Sequence, residues 1–127
     1  MDYRTLPGAT LAYLGDAVFE TLVRRRLIDE GQTRTGQMNK LALSFVKATA
    51  QSAAAERILP HLTEEEGDVF RRGRNASGLS VPKSADAAAY RRATGFEALF
   101  GWLALRGEDA RAKELFDLAF PRDGVPQ

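Results

Sequence analysis

A chain of 127 residues, 44% apolar and 28% charged, has the make-up of one globular domain, large enough to bury about two-thirds of the surface its unfolded form exposes. It has no cysteine and one histidine, His61, which excludes disulfides, thiolate metal sites, cysteine nucleophiles and histidine-rich metal centres. A net charge of +1 is too balanced for wholesale coating of nucleic acid. No apolar run approaches the ~18 residues of a membrane span and no signal-peptide pattern opens the chain, so a cytoplasmic address without a membrane partner is expected.

Alternating β-branched stretches are absent while alanine, leucine and arginine abound, and the expected class is all-α. A first helix begins near Thr5 and Pro7, since proline is tolerated in a first turn, and stops before Gly31. Arg24, Arg25 and Arg26 near its end suit the helix dipole. Gln32 to Gly36 connect it to a second helical stretch, Gln37 to about Phe45, with Met38, Leu41 and Phe45 at helical spacing. A bend separates this from a third helix, Val46 to Leu59, ended by Pro60. Thr63-Glu64-Glu65-Glu66 is a capping-box pattern, and the helix it opens runs through Val69 and Phe70 into Arg71-Arg72-Gly73-Arg74-Asn75. Ala76 to Lys83 read as an exposed loop, and Ser84 as the cap of a fifth helix that reaches about Arg106 before Gly107. A last amphipathic helix, Asp109 to about Phe120, turns Ala112, Leu115, Phe116 and Ala119 inward, and residues 121–127 form a loose tail. Without repeats or low-complexity segments, residues 1–127 are expected to be a single domain.

The middle of the first helix, Leu11-Ala12-Tyr13-Leu14-Gly15-Asp16-Ala17-Val18-Phe19-Glu20, is apolar on almost every side yet holds a carboxylate. At about 100° per residue, Asp16 shares its face with Ala9, Ala12, Tyr13, Val23 and Leu27, while Leu11, Leu14, Val18 and Leu22 take the opposite one. No solvated stripe is left for Asp16. A buried, unpaired carboxylate is costly, so a metal, a cation or a strong donor is expected beside it. The fifth helix repeats the anomaly. Phe96, Leu99, Phe100, Trp102, Leu103 and Leu105 surround Glu97, whose own face carries Tyr90, Ala93, Thr94, Gly101 and Ala104. Two carboxylates on packed helices can share a divalent cation, Mg²⁺ or Mn²⁺ from their oxygen donors, with water completing the coordination. Pairing of each acid with a buried arginine or tyrosine is the structural alternative. Glu20, one turn beyond Asp16, fits two roles: orienting a metal-bound water from an outer shell, or pairing with Arg24.

Between Arg71 and Arg92 stand six basic residues, Arg71, Arg72, Arg74, Lys83, Arg91 and Arg92, against the single acid Asp86, a local charge of +5. Such local excess is what binding to a phosphate backbone requires, with Asn75 adding a side-chain donor. A solvated basic surface is the plain alternative. Aromatic residues are not interleaved with the basic ones, which argues against a single-strand stacking platform.

Leu11-Ala-Tyr-Leu-Gly-Asp-Ala-Val-Phe-Glu20, Arg71-Arg-Gly-Arg-Asn-Ala76, Pro82-Lys83 and Tyr90-Arg-Arg-Ala-Thr-Gly-Phe-Glu-Ala-Leu-Phe-Gly101 together resemble the ribonuclease III nuclease domain, specifically its stand-alone form, the Mini-ribonuclease III family. The likeness runs from about Leu11 to Leu105 in the family's order and spacing. It implies a helical bundle that forms a homodimer and cuts double-stranded RNA with Mg²⁺, for which Mn²⁺ can substitute. Asp16 and Glu97 would be the metal ligands and the catalytic carboxylates, the metal lowering the pKa of a bound water and stabilising charge on the scissile phosphate. Products would carry 5′-phosphate and 3′-hydroxyl ends. No double-stranded-RNA-binding domain is expected after the nuclease domain, which would mark the mini form, and the resemblance then implies a role in maturing the ends of large-subunit (23S) ribosomal RNA. A ribosomal protein is a candidate helper. Ala12 and Thr94 stand where full-length ribonuclease III enzymes carry two further acids, so one tightly held ion per site is expected. Ser77 replaces a lysine that often follows Asn-Ala in the family. The competing reading is a catalytically inactive RNA-binding or ribosome-assembly module of the same fold, and a third is a helical dimerisation adaptor with no RNA role.

Overall fold

The computed structural model describes residues 2–77, 81 and 86–122, and among them there is no strand. The described helices are α1 (Gly8–Asp29), α2 (Thr35–Val46), α3 (Ala48–Ile58), α4 (Glu64–Arg74), α5 (Ala87–Leu105) and α6 (Asp109–Ala119), as the all-α reading expected. Short 3₁₀ turns, Tyr3–Thr5 and Leu59–His61, precede α1 and follow α3.

The helix ends follow local chemistry. Pro7, at ψ 143°, stays outside α1 and offers its carbonyl to the amides of Thr10 and Leu11, so the helix starts at Gly8 rather than near Thr5. Past Asp29 the chain reverses at Gly31, whose φ of 92° suits a residue without a Cβ. Lys47, at ψ 144°, makes the break between α2 and α3. Thr63 and Glu66 form the expected capping box: the Glu66 amide donates to Thr63 Oγ1 at 3.2 Å and the Thr63 amide to Glu66 Oε1 at 2.9 Å. The cap of α5 is Asp86, not Ser84. Its Oδ1 accepts the amides of Ala88 at 2.9 Å and Ala89 at 3.4 Å, and an aspartate directly before Ala87 is the better-placed oxygen. Ser84 and Lys83 lie outside the described residues, as does most of the expected 76–83 loop.

Helix α5 is the axis of the molecule, with Phe96, Ala98, Leu99, Phe100 and Leu103 all at 0% exposure. α1 crosses it at Gly15 and Gly101. A Cβ on Gly15 would overlap the carbonyl oxygen of Glu97, and one on Gly101 the carbonyl oxygen of Leu11, so backbone packs on backbone there. Phe19 continues the contact into a cluster with Phe96, Phe100, Phe116 and Phe120, ring centroids 4.9–6.3 Å apart. α6 closes this cluster with Ala112, Leu115, Phe116 and Ala119, the inner face expected of it. Buried Arg26 ties α1 to the end of α6, donating to the Phe120 carbonyl at 2.7 Å and to Asp117 at 2.9 Å. α2 contributes no fully buried residue; Met38, Leu41 and Phe45 only rest on the core.

A second inward acid sits at the far side of α5. Glu66, at 4% exposure, receives Arg111 of α6 through both carboxylate oxygens, each at 2.8 Å. Burial pushes the Glu66 carboxyl up, but the Arg111 guanidinium and Thr63 outweigh it and hold it below the usual value.

Candidate active site

The crossing of α1 and α5 sets the geometry of the site. Asp16 follows Gly15, and Glu97 is the residue whose carbonyl Gly15 abuts, so closing the two backbones sets their side chains on one side of the contact. Both line a cleft of about 420 Å³, together with Ala12, Tyr13, Gln51, Tyr90 and Thr94. Ala12 and Thr94 are the positions where longer relatives were expected to carry acids. Here they present a methyl group and a hydroxyl that donates to the Tyr90 carbonyl at 3.0 Å.

One expectation is corrected. Asp16 is exposed, not buried, because it stands at the open edge of the cleft: Tyr13 beside it is 86% exposed and Ala17 is exposed as well. Glu97 is the acid that bears the loss of solvent. Burial, then the charge of Asp16 and a hydrogen bond with it, push the Glu97 carboxyl up to about 8, and the charge of Glu20 adds to this, while a hydrogen bond from Gln51 works the other way. Among the described residues, neither acid has an ion pair with a buried arginine or a hydrogen bond to a tyrosine, the structural alternative. Glu20 takes the Arg24 pairing that was one of its two expected roles. It lies 4.0 Å from Arg24 and close enough to Glu97 to act on it.

Two carboxylates held together in this way are an anionic site awaiting a positive charge. Their hard oxygen donors fit a divalent cation of the Mg²⁺ type, the remaining ligands coming from water or from a phosphate. Among the described residues no group of three or more histidine, cysteine or acidic side chains could enclose a metal, so an ion here would rest on the pair.

The basic residues divide into free and engaged. Arg71 is exposed and pairs with Asp68 on its own helix; Arg74 is half-buried, its Nε 3.3 Å from the Asn75 Oδ1; Arg91 is exposed on α5. Arg72 instead donates to the Leu6 carbonyl, bracing α4 against the segment before α1. Arg92 donates from Nε to Ser52 Oγ at 2.7 Å and lies 3.9 Å from Glu56, which fixes α3 on α5. Gln51 is the cleft residue that sequence reasoning missed. The available signal was a lone amide within the alanine-rich face of α3.

Comparison with known proteins follows from this arrangement. The family described as the ribonuclease III domain matches residues 9–108, which takes in both carboxylates and every helix but α6. The chain belongs to the ribonuclease III family and is an endoribonuclease. Within that family it is similar to the Mini-ribonuclease 3 of Symbiobacterium thermophilum, with 52% identity over 91% of this chain and 88% of the relative. It is also similar to the Mini-ribonuclease 3 of Enterococcus faecalis, with 40% identity over 97% and 95% of the two chains. Its fold is similar to that of a Fusobacterium nucleatum protein solved by X-ray crystallography, at a TM-score of 0.84 and 29% identity, covering 96% of this chain and 99% of that one.

Proposed function

We propose that this endoribonuclease hydrolyses double-stranded RNA with Mg²⁺, or Mn²⁺ in its place, leaving 5′-phosphate and 3′-hydroxyl ends. Its substrate is the precursor of 23S ribosomal RNA in the cytoplasm. The observation that carries the reading is the apposition of Asp16 and Glu97 in one cleft. A divalent cation bound there supplies an activated water and relief of charge on the phosphate being cut. Asp16 and Glu97 would hold the cation. Glu97 must give up its proton for this, so proton and cation compete for its carboxylate and activity falls toward acid pH. Arg71, Arg74, Asn75 and Arg91 meet the phosphate backbone, and Lys83 joins them from outside the described residues. Arg72 and Arg92 act indirectly, by holding α4 and α3 in place. Likeness to Mini-ribonuclease 3 proteins over almost the whole chain supports the endoribonuclease reading.

A homodimer is part of the proposal. Tyr13, 86% exposed next to Asp16, and Leu43, 50% exposed on α2, are large apolar groups that a second copy would cover. Two clefts along one duplex then give one cut per strand. Sedimentation at micromolar concentration checks this, a monomer being the contrary result, and Tyr13→Glu should release monomers. The reaction itself is tested by incubating a long-stem precursor RNA with Mg²⁺ and either the native chain or Asp16→Asn. The variant should bind duplex and leave it intact. Equal cutting by both would overturn the assignment, and binding without turnover by the native chain would favour the inactive RNA-binding module.

A further inference from the structure

We propose that Gln51 is a positioning residue: its side-chain amide, anchored on the Val46 carbonyl, holds the Glu97 carboxylate toward Asp16 in readiness for a divalent cation. The inference rests on reading Asp16 and Glu97 as a cation site.

Gln51 is 3% exposed on a face of α3 otherwise made of small and apolar groups, Ala54, Ala55 and Ile58, each at 0%. An amide in such surroundings is tolerated only when hydrogen-bonded. Its Nε2 finds one partner in the carbonyl of Val46 at 3.3 Å. Val46 is the last residue of α2, where a helix leaves carbonyls without intrahelical donors, and the extended Lys47 turns the chain so that α3 can reach back to it. The amide has a second N–H, and Gln51 lines the same cleft as Asp16 and Glu97, which leaves that N–H to serve the Glu97 carboxylate. One planar group thus stands between the α2–α3 corner and the acid pair.

The platform beneath it is fixed. The next residue, Ser52, is 4% exposed and accepts the Arg92 Nε–H at 2.7 Å, while Ala54 and Ala55 are sealed in the core. Gln51 therefore has little freedom to follow Glu97 if that side chain turns away, and Glu97 is the one that must conform. The choice of an amide is chemically apt. A lysine or arginine would bring a positive charge that competes with the cation, and a third acid would add to the repulsion between Asp16 and Glu97. A neutral donor orients the carboxylate without either effect.

The test compares the native chain with Gln51→Met, which keeps the length and removes the donor, and with Gln51→Ser, which leaves room for water and serves if the first does not fold. Mn²⁺ binding to the RNA-free protein is titrated by calorimetry, and thermal unfolding is followed without metal. Loss of an outer partner of a metal ligand typically weakens binding 10- to 100-fold, so about tenfold weaker Mn²⁺ binding is expected, with the Mg²⁺ concentration for half-maximal cleavage raised in step. Duplex-RNA affinity in EDTA should stay within twofold. A residue that only packs would lower the unfolding temperature and leave the Mn²⁺ affinity unmoved, and that result in a folded variant overturns the inference. Failure of the native chain to bind Mn²⁺ overturns it as well. If the native chain binds Mn²⁺ but cuts no duplex, the proposed reaction fails and the role of Gln51 stands.

Discussion

Glu66 and Glu97 are both inward-facing glutamates on helices packed against the same core, and they are treated in opposite ways. Glu66 meets Arg111 through both oxygens and Thr63 at its helix cap, and its carboxyl is held below the usual range. Glu97 meets Asp16, a second acid, and is pushed up to about 8. The first acid is complete within the chain and fastens α4 to α6. The second is left with a like charge for a neighbour, an arrangement that costs stability and makes sense only when something cationic arrives from outside. Burial alone does not mark an acid as functional; the identity of its partner does.

Changes at the two glutamates should therefore separate activity from stability. Removing the neighbour, in Asp16→Asn, is expected to lower cleavage on the order of 10³-fold while the metal-free chain stays at least as stable as the native one, measured by cleavage assay and urea unfolding. Breaking the completed pair, in Arg111→Met, should do the reverse: about 3 kcal/mol of stability lost, with cleavage by the folded protein at low temperature unchanged. Because the Glu66 carboxyl is depressed, the stability it confers is present above about 4.5, the ordinary value, and lost as pH falls further, so the gap between native and Arg111→Met closes in acid.

The pH dependence of Glu97 has the opposite sign. Between about 4.5 and 8 the folded, metal-free chain keeps a proton that the unfolded chain has released, so its stability declines as pH rises through that window. Glu97→Gln removes the decline. In EDTA it should be more stable than the native chain at pH 8 by roughly 1–2 kcal/mol, allowing for screening by solvent, and no more stable at pH 4. The smallest effect belongs to Glu20. Glu20→Gln takes away one of the charges that raise Glu97, and should move the acid limb of the cleavage profile down by a few tenths of a pH unit without changing the maximal rate.

Much of this contrast could be read from the chain. The pattern Thr63-Glu64-Glu65-Glu66 announced its cap because the reciprocal bonds need only a fixed spacing. Asp16 and Glu97 stood out because charge inside an apolar helix is rare in any context. The exposure of Asp16 was not legible. A helical wheel says which residues share a face, not which face another element covers, and α1 is apolar on both. The division of the arginines was equally hidden, since counting charge cannot tell Arg71, on the surface, from Arg72 and Arg92, which are spent on the Leu6 carbonyl and on Ser52. Ser84 and Asp86 are both good cap residues, and only the register of the first turn decides between them. Gln51 reaches Glu97 from another helix, a relation that no local pattern encodes.

The meeting of Gly15 and Gly101 fixes the distance between the two main chains from which the acids project. Any substitution that wedges the crossing apart by the width of a methyl group also spreads the carboxylates, so a single mechanical gauge governs folding and reactivity. Efforts to engineer a sturdier variant would find their gains in α2, which contributes no fully buried residue, rather than at the seam.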